Sequence, residues 1–111
     1  MSTVKSWFAA KVIFESIHQD ARDDQLFEEK IVVLKAASEA EAESRAAAVT
    51  TADAQSYVNA CGEQVEWRFK EVIDIKPLFD EDITDGTEVY YSFLGPKELK
   101  ELKRRLQTAP R

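Results

Sequence analysis

The stretch "LFEEKIVVLKAASEAEAESRAAAV" (residues 26–49) changes its period in the middle, and that change decides the fold class. Residues 26–36 are dense in β-branched and aromatic side chains without glycine or proline, which predicts a strand. At Ser38 a helix begins. "SEAE" matches a capping box, with Ser38 as N-cap and Glu41 three residues on. The alanines that follow favour helix, because they lose no side-chain entropy there. Ala42, Ala46, Val49 and Ala52 or Asp53 are expected on one face, with Glu41 and Arg45 as an outward pair. "TTADA" (50–54) weakens the helix, which kinks or restarts through "DAQSYV" (53–58) and stops at Gly62.

Working outward, "SWFAAKVIFESI" (6–17) has the same strand chemistry as residues 26–36. The polar loop "HQDARDDQ" (18–25) joins the two as a hairpin. On the C-terminal side, "QVEWRFKEVIDIKPLF" (64–79) alternates cleanly at its start, as a half-buried strand does. An acidic turn follows, in which Asp85-Gly86 supplies the positive φ, and "TEVYYSFL" (87–94) reads as a further strand. "GPKELKELKRRLQ" (95–107) predicts a last helix, with Pro96 at its first position and a narrow stripe of Leu99, Leu102 and Leu106. The order is ββαββα. The expected fold is α+β: a four-stranded antiparallel sheet with one long helix packed on one face, and a C-terminal helix. Residues 1–95 are expected as a single domain, and 96–111 as a basic helix and tail, docked or partly mobile.

The 111 residues leave room for one core, and 44% hydrophobic content suffices to build it. A single cysteine, Cys61, makes no internal disulfide. The N-terminus lacks a signal-peptide pattern and no run is long enough to span a membrane, so a soluble cytoplasmic protein is expected. Net charge is −6, unevenly spread. Residues 1–95 hold nine Lys/Arg against nineteen Asp/Glu, and residues 96–111 hold six against two. An acidic body repels phosphate backbones, so no nucleic-acid partner and no membrane partner is expected.

Adjacent Glu28 and Glu29 have the look of a paired-carboxylate site. A strand turns successive side chains to opposite faces, which separates them. Glu29 interrupts an otherwise apolar row of Phe27, Ile31 and Val33. Lys11 does the same among Trp7, Ala9 and Ile13, and Glu71 among Val65, Trp67, Phe69 and Ile73. A charge in an apolar row is costly unless paired or solvated. Lys11, Glu29 and Glu71 are therefore expected together on one face. They form either cross-strand ion pairs or a polar spot flanked by Trp7 and Trp67. A bulge near Glu71-Val72 would rephase the strand and dissolve the trio.

Other chemistry is thin. His18 is expected as a solvated loop residue, and Cys61 as a small packing residue at a helix end. "FDEDITD" (79–85) is expected as a solvated acidic turn. No zinc constellation, phosphate loop or EF-hand spacing occurs, so no metal, cofactor or catalytic residue is expected.

Four blocks, "WFAAKVIFE" (7–15), "LFEEKIVVLKAAS" (26–38), "VEWRFKEVIDI" (65–75) and "DGTEVYYSFL" (85–94), together resemble the bacterial domain-of-unknown-function family 4288. The resemblance implies no established activity and carries over no catalytic residue. The residues themselves lead to a non-enzymatic interaction protein, a homodimer that buries an aromatic sheet face. Tyr90, Tyr91, Leu99, Leu102 and Leu106 are expected at its interface. The alternatives are a small-molecule binder or enzyme using Lys11, Glu29 and Glu71 beside Trp7 and Trp67, and an acidic inhibitor of the immunity type that covers a basic protein partner.

Overall fold

The computed structural model describes residues 4–18, 25–52 and 55–108. Strands β1 (Ser6–His18) and β2 (Phe27–Ala36) form the expected antiparallel hairpin. Of its predicted loop, residues 19–24 lie outside the described residues. Helix α1 (Glu39–Thr51) starts as the capping box foretells, with the Glu41 amide donating to Ser38 Oγ at 3.1 Å. Strand β3 (Gln55–Val58) and strand β4 (Gln64–Pro77) follow, and helix α2 (Pro96–Thr108) ends the described chain. The fold is α+β in ββαββα order, with a four-stranded antiparallel sheet of strand order β2-β1-β4-β3.

Two segments differ from expectation. Gln55–Val58 is a strand rather than a helical restart, and it pairs with Gln64–Trp67. Gly62, at φ +80°, bends the β3–β4 turn instead of ending a helix. Asn59 organises that turn, its Oδ1 accepting from the Cys61 and Glu63 amides at 3.0 and 2.9 Å. Cys61 is thus exposed on the turn, not packed. The helix ends earlier, where the hydroxyls of Thr50 and Thr51 donate back to the carbonyls of Ala46 and Ala47. Residues 53 and 54 lie outside the described residues.

The second difference is residues 87–94, which form no strand. With β3 and β2 on the edges, this segment crosses a sheet face and attaches through side chains rather than a ladder. The Asp85-Gly86 turn forms as expected: Gly86 has φ +87° and the Thr87 amide donates to the Thr84 carbonyl at 3.1 Å.

The core lies between the sheet and α1. Phe8, Ala10, Val12 and Phe14 of β1 meet Leu34 and Ala36 of β2 and Ala42 and Ala46 of α1. Small residues on both layers let the helix sit close. Burying Val12 and Phe14 contributes about 1.5–3 kcal/mol each. Thr50 completes the buried face of α1, and Val49 is exposed, a correction to the expected row.

Strand β4 carries two bulges. Phe69 faces Phe14 but Glu71 faces Ile13, leaving Lys70 extra; Val72 faces Val12 but Asp74 faces Lys11, leaving Ile73 extra. Each bulge reverses the phase. Trp67, Phe69, Val72 and Ile75 all pack against the core, while Glu71 and Asp74 are turned to the other face.

Candidate functional site

That other face carries Ala9, Lys11, Ile13 and Glu15 of β1, with Phe27, Glu29, Ile31, Val33 and Lys35 of β2 beside them. Lys11 sits at its centre. Its Nζ lies 3.3 Å from Glu29 Oε1 and 4.9 Å from the centre of the Tyr90 ring. Opposite Lys11 on β4 stands Asp74, whose Oδ2 accepts the Tyr90 hydroxyl at 2.7 Å. Lys76 approaches Asp74 at 3.6 Å, donates to the Tyr91 carbonyl at 2.6 Å and lies 3.9 Å above the Tyr91 ring. These contacts fasten the 78–95 segment across the β1–β4 half of the face.

Three groups of this cluster are shifted from their ordinary values. Burial works to lower the Lys11 pKa, but Glu29 and the Tyr90 hydroxyl outweigh it, and the ammonium stands above the ordinary lysine value. The Tyr90 hydrogen bond, opposed by burial and helped by Lys76, holds the Asp74 carboxyl below the usual aspartate value. Burial, then the bond to Asp74, raises the Tyr90 hydroxyl. Each group moves away from neutrality, so at pH 7 Lys11 is a cation, Asp74 an anion and Tyr90 a neutral donor. The arrangement orders these charges around Tyr90.

Of the predicted trio, Lys11 and Glu29 do meet. Glu71 shares their face, but Ile13 stands between it and Glu29 in the register, roughly 10 Å across two strand spacings. The β4 partner of Lys11 is Asp74 instead, whose signal in the sequence was an isolated acid between Ile73 and Ile75. Trp7 and Trp67 lie on opposite faces of the sheet and do not wall one hollow: Trp7 sits under Lys35 Nζ at 5.2 Å, and Trp67 packs on the core side. Tyr90 and Tyr91 cover the protein's own sheet. Leu99, Leu102 and Leu106 of α2 are exposed, and no part of the α2 backbone comes close to a described strand or to α1. Between α2 and the Lys11–Glu29 pair lies a cavity of about 530 Å³, with Leu94, Lys97, Glu101 and Arg105 on its other wall.

A second cluster was not expected. His18 is not a solvated loop residue; it ends β1 with its Nδ1 2.9 Å from Glu63 Oε1 and its Nε2 2.9 Å from Ser16 Oγ. The order Ser–His–Glu is that of a nucleophilic triad. Ser16, however, is only 2% exposed, and its hydroxyl also accepts the Leu26 amide at 2.8 Å. A nucleophile has to reach its substrate, and this one is enclosed. The cluster ties the end of the β1–β2 hairpin to the β3–β4 turn. Among the described residues, no group of three or more His, Cys, Asp or Glu side chains is placed to hold a metal ion. No described helix is long and apolar enough to cross a membrane.

No curated protein and no solved structure matches the chain. The model of the family described as "Domain of unknown function (DUF4288)" matches residues 7–91, from the first turn of β1 to the tyrosine pair that closes the face. That span includes all of the sheet but its first residue, Ser6, together with α1 and the Lys11–Glu29–Asp74–Tyr90 network, and the chain belongs to this family.

Proposed function

We propose that the protein is a small non-enzymatic interaction module that works as a homodimer. The observation that carries this reading is the uncovered β2 half of the open face. Phe27, Ile31 and Val33 are 57%, 43% and 37% exposed in one row, and the leucine stripe of α2 is exposed as well. Contiguous exposed apolar surface of this kind marks an interaction site more often than a free surface. A two-fold dimer covers it with the fewest distinct contacts, since each copy supplies the same patch. The charge distribution supports the same assembly, because the basic α2 of one copy complements the acidic body of the other.

The experiment is light scattering coupled to size exclusion on the full chain and on two variants, Ile31→Asn with Val33→Asn, and Leu99→Glu with Leu102→Glu. The reading expects a dimer for the parent and monomers for both variants, each with an unchanged circular dichroism spectrum. Variants that stay dimeric would place the interface elsewhere.

A second reading is favoured by the cavity beside Lys11 and Glu29, whose volume of about 530 Å³ is in the range of small-ligand sites. Its walls mix cations and anions, which suits a compact ligand carrying both charges. A thermal-shift screen of free amino acids and other zwitterions tests it. A saturating ligand raises the melting temperature of the parent but not of Lys11→Met, and no shift from any of them removes the reading.

A further inference from the structure

We infer that two copies join edge to edge through β2, antiparallel about Val32, into one continuous eight-stranded sheet. This rests on the homodimer reading and places its seam at the β2 edge, where the exposed rows of the two copies lie side by side on one surface rather than face to face. Among the described residues β2 has no neighbour on its outer side, although it runs for ten residues without proline or bulge. Edges of that length are normally blunted.

The direction of the free groups follows from the hairpin. The Ser16 amide donates to the Leu26 carbonyl at 2.9 Å, so even-numbered positions point their backbone groups at β1. Odd-numbered positions, Glu29, Ile31, Val33 and Lys35, then point theirs outward. The Arg45 guanidinium reaches the Lys35 carbonyl, as that orientation requires. The Lys35 carbonyl is held by Arg45, and the outward groups of Glu29, Ile31 and Val33 with the Lys35 amide are what a second strand pairs with.

Side chains select the register. A two-fold axis perpendicular to the sheet must pass through one residue. Centred on Val32, it sets Glu29 against the partner's Lys35 and Ile31 against the partner's Val33, each twice, and all on the open face. Centred on Ile31, it sets Glu29 against the partner's Val33 and Phe27 against the partner's Lys35. Centred on Val33, it sets Ile31 against the partner's Lys35. Facing pairs of opposite charge or of two apolar residues stabilise a sheet, and a charge against an apolar side chain does not. On the open face only the Val32 centre matches every pair; on the core face all three registers set Lys30 against an apolar residue of the partner, so that face does not choose between them. The charges that would protect a lone edge from strangers here become complementary to a copy of itself.

The register has a direct readout. Val32 and the partner's Val32 form a non-hydrogen-bonded pair, with Cα atoms about 4.5 Å apart, within disulfide reach. In a Cys61→Ser background, Val32→Cys is expected to form a covalent dimer under mild oxidation. Lys30→Cys, which faces Leu34 of the partner, is not. Glu29→Lys alone and Lys35→Glu alone should each weaken self-association about tenfold, since two pairs per dimer turn repulsive. Mixing the two variants should restore a heterodimer, and the double swap Glu29→Lys with Lys35→Glu should restore the homodimer. A dimer that ignores these swaps and does not cross-link at residue 32 overturns the edge register and leaves the homodimer standing. A monomer at every concentration overturns both.

Discussion

Asp74 carries most of the electrostatic order on the open face, and its worth is measurable. Replacing Tyr90 by phenylalanine removes the hydroxyl that holds the Asp74 carboxyl low. A hydrogen bond to a charged group contributes about 1.5–3 kcal/mol, and partial solvent exposure of Asp74 reduces this to about 1 kcal/mol. Because the folded-state pKa is depressed, that stability is present above the ordinary aspartate value and is lost as pH falls through the lowered one. Urea titrations of parent and Tyr90→Phe should differ by about 1 kcal/mol at pH 7 and converge in strong acid; a constant gap across pH would assign the loss to packing. Ser16 makes the contrasting case. Ser16→Ala strips a partner from the Leu26 amide and from His18, and should cost about 1–3 kcal/mol by the same titrations. An unchanged midpoint would mean water replaces the hydroxyl. Lys11 and Glu29 were legible in the sequence because each breaks an apolar row. Asp74 and Trp67 were misplaced because two bulges, which composition does not advertise, reverse the alternation along β4.

At the level of elements, the hairpin, α1, the long strand at 64–77 and α2 could be read from period and capping alone. The short strand at 55–58 could not. Four residues with two polar ones at the start have no strand pattern of their own, and only the neighbouring β4 edge holds them extended. The reverse happened at 87–94, where strong β-propensity formed no ladder and the segment became a strap fixed by Tyr90 and Tyr91. The α1 layer tests whether small size is what permits its approach. Ala46→Leu inserts volume under a buried position and should destabilise by about 1–3 kcal/mol, while Ala48→Leu on the exposed side should be nearly neutral, both read from thermal melts. Equal effects would show that α1 floats on the sheet. Removing the Ser38 cap with Ser38→Ala should cost about 1 kcal/mol in the same melts.

For the molecule as a whole, one sheet face is covered by a helix and the other only in part. Helix α1 closes the core side, the tyrosine strap closes the β1–β4 half of the open side, and β2 is left with exposed apolar side chains and, among the described residues, an unpaired edge. In the dimer proposed above a second copy fills that edge and sets the two exposed rows side by side, and the acidic body and basic α2 favour the encounter. That part of one sheet face would stay uncovered could be read from the sequence. Which half is left depends on the strap, and therefore on contacts between residues some fifteen positions apart. Sedimentation equilibrium of the full chain, over a range of micromolar concentrations at moderate salt, tests this most directly. The account predicts a mass of two 12.6 kDa chains, shifting towards one on dilution. A single-chain mass across the whole range would contradict it.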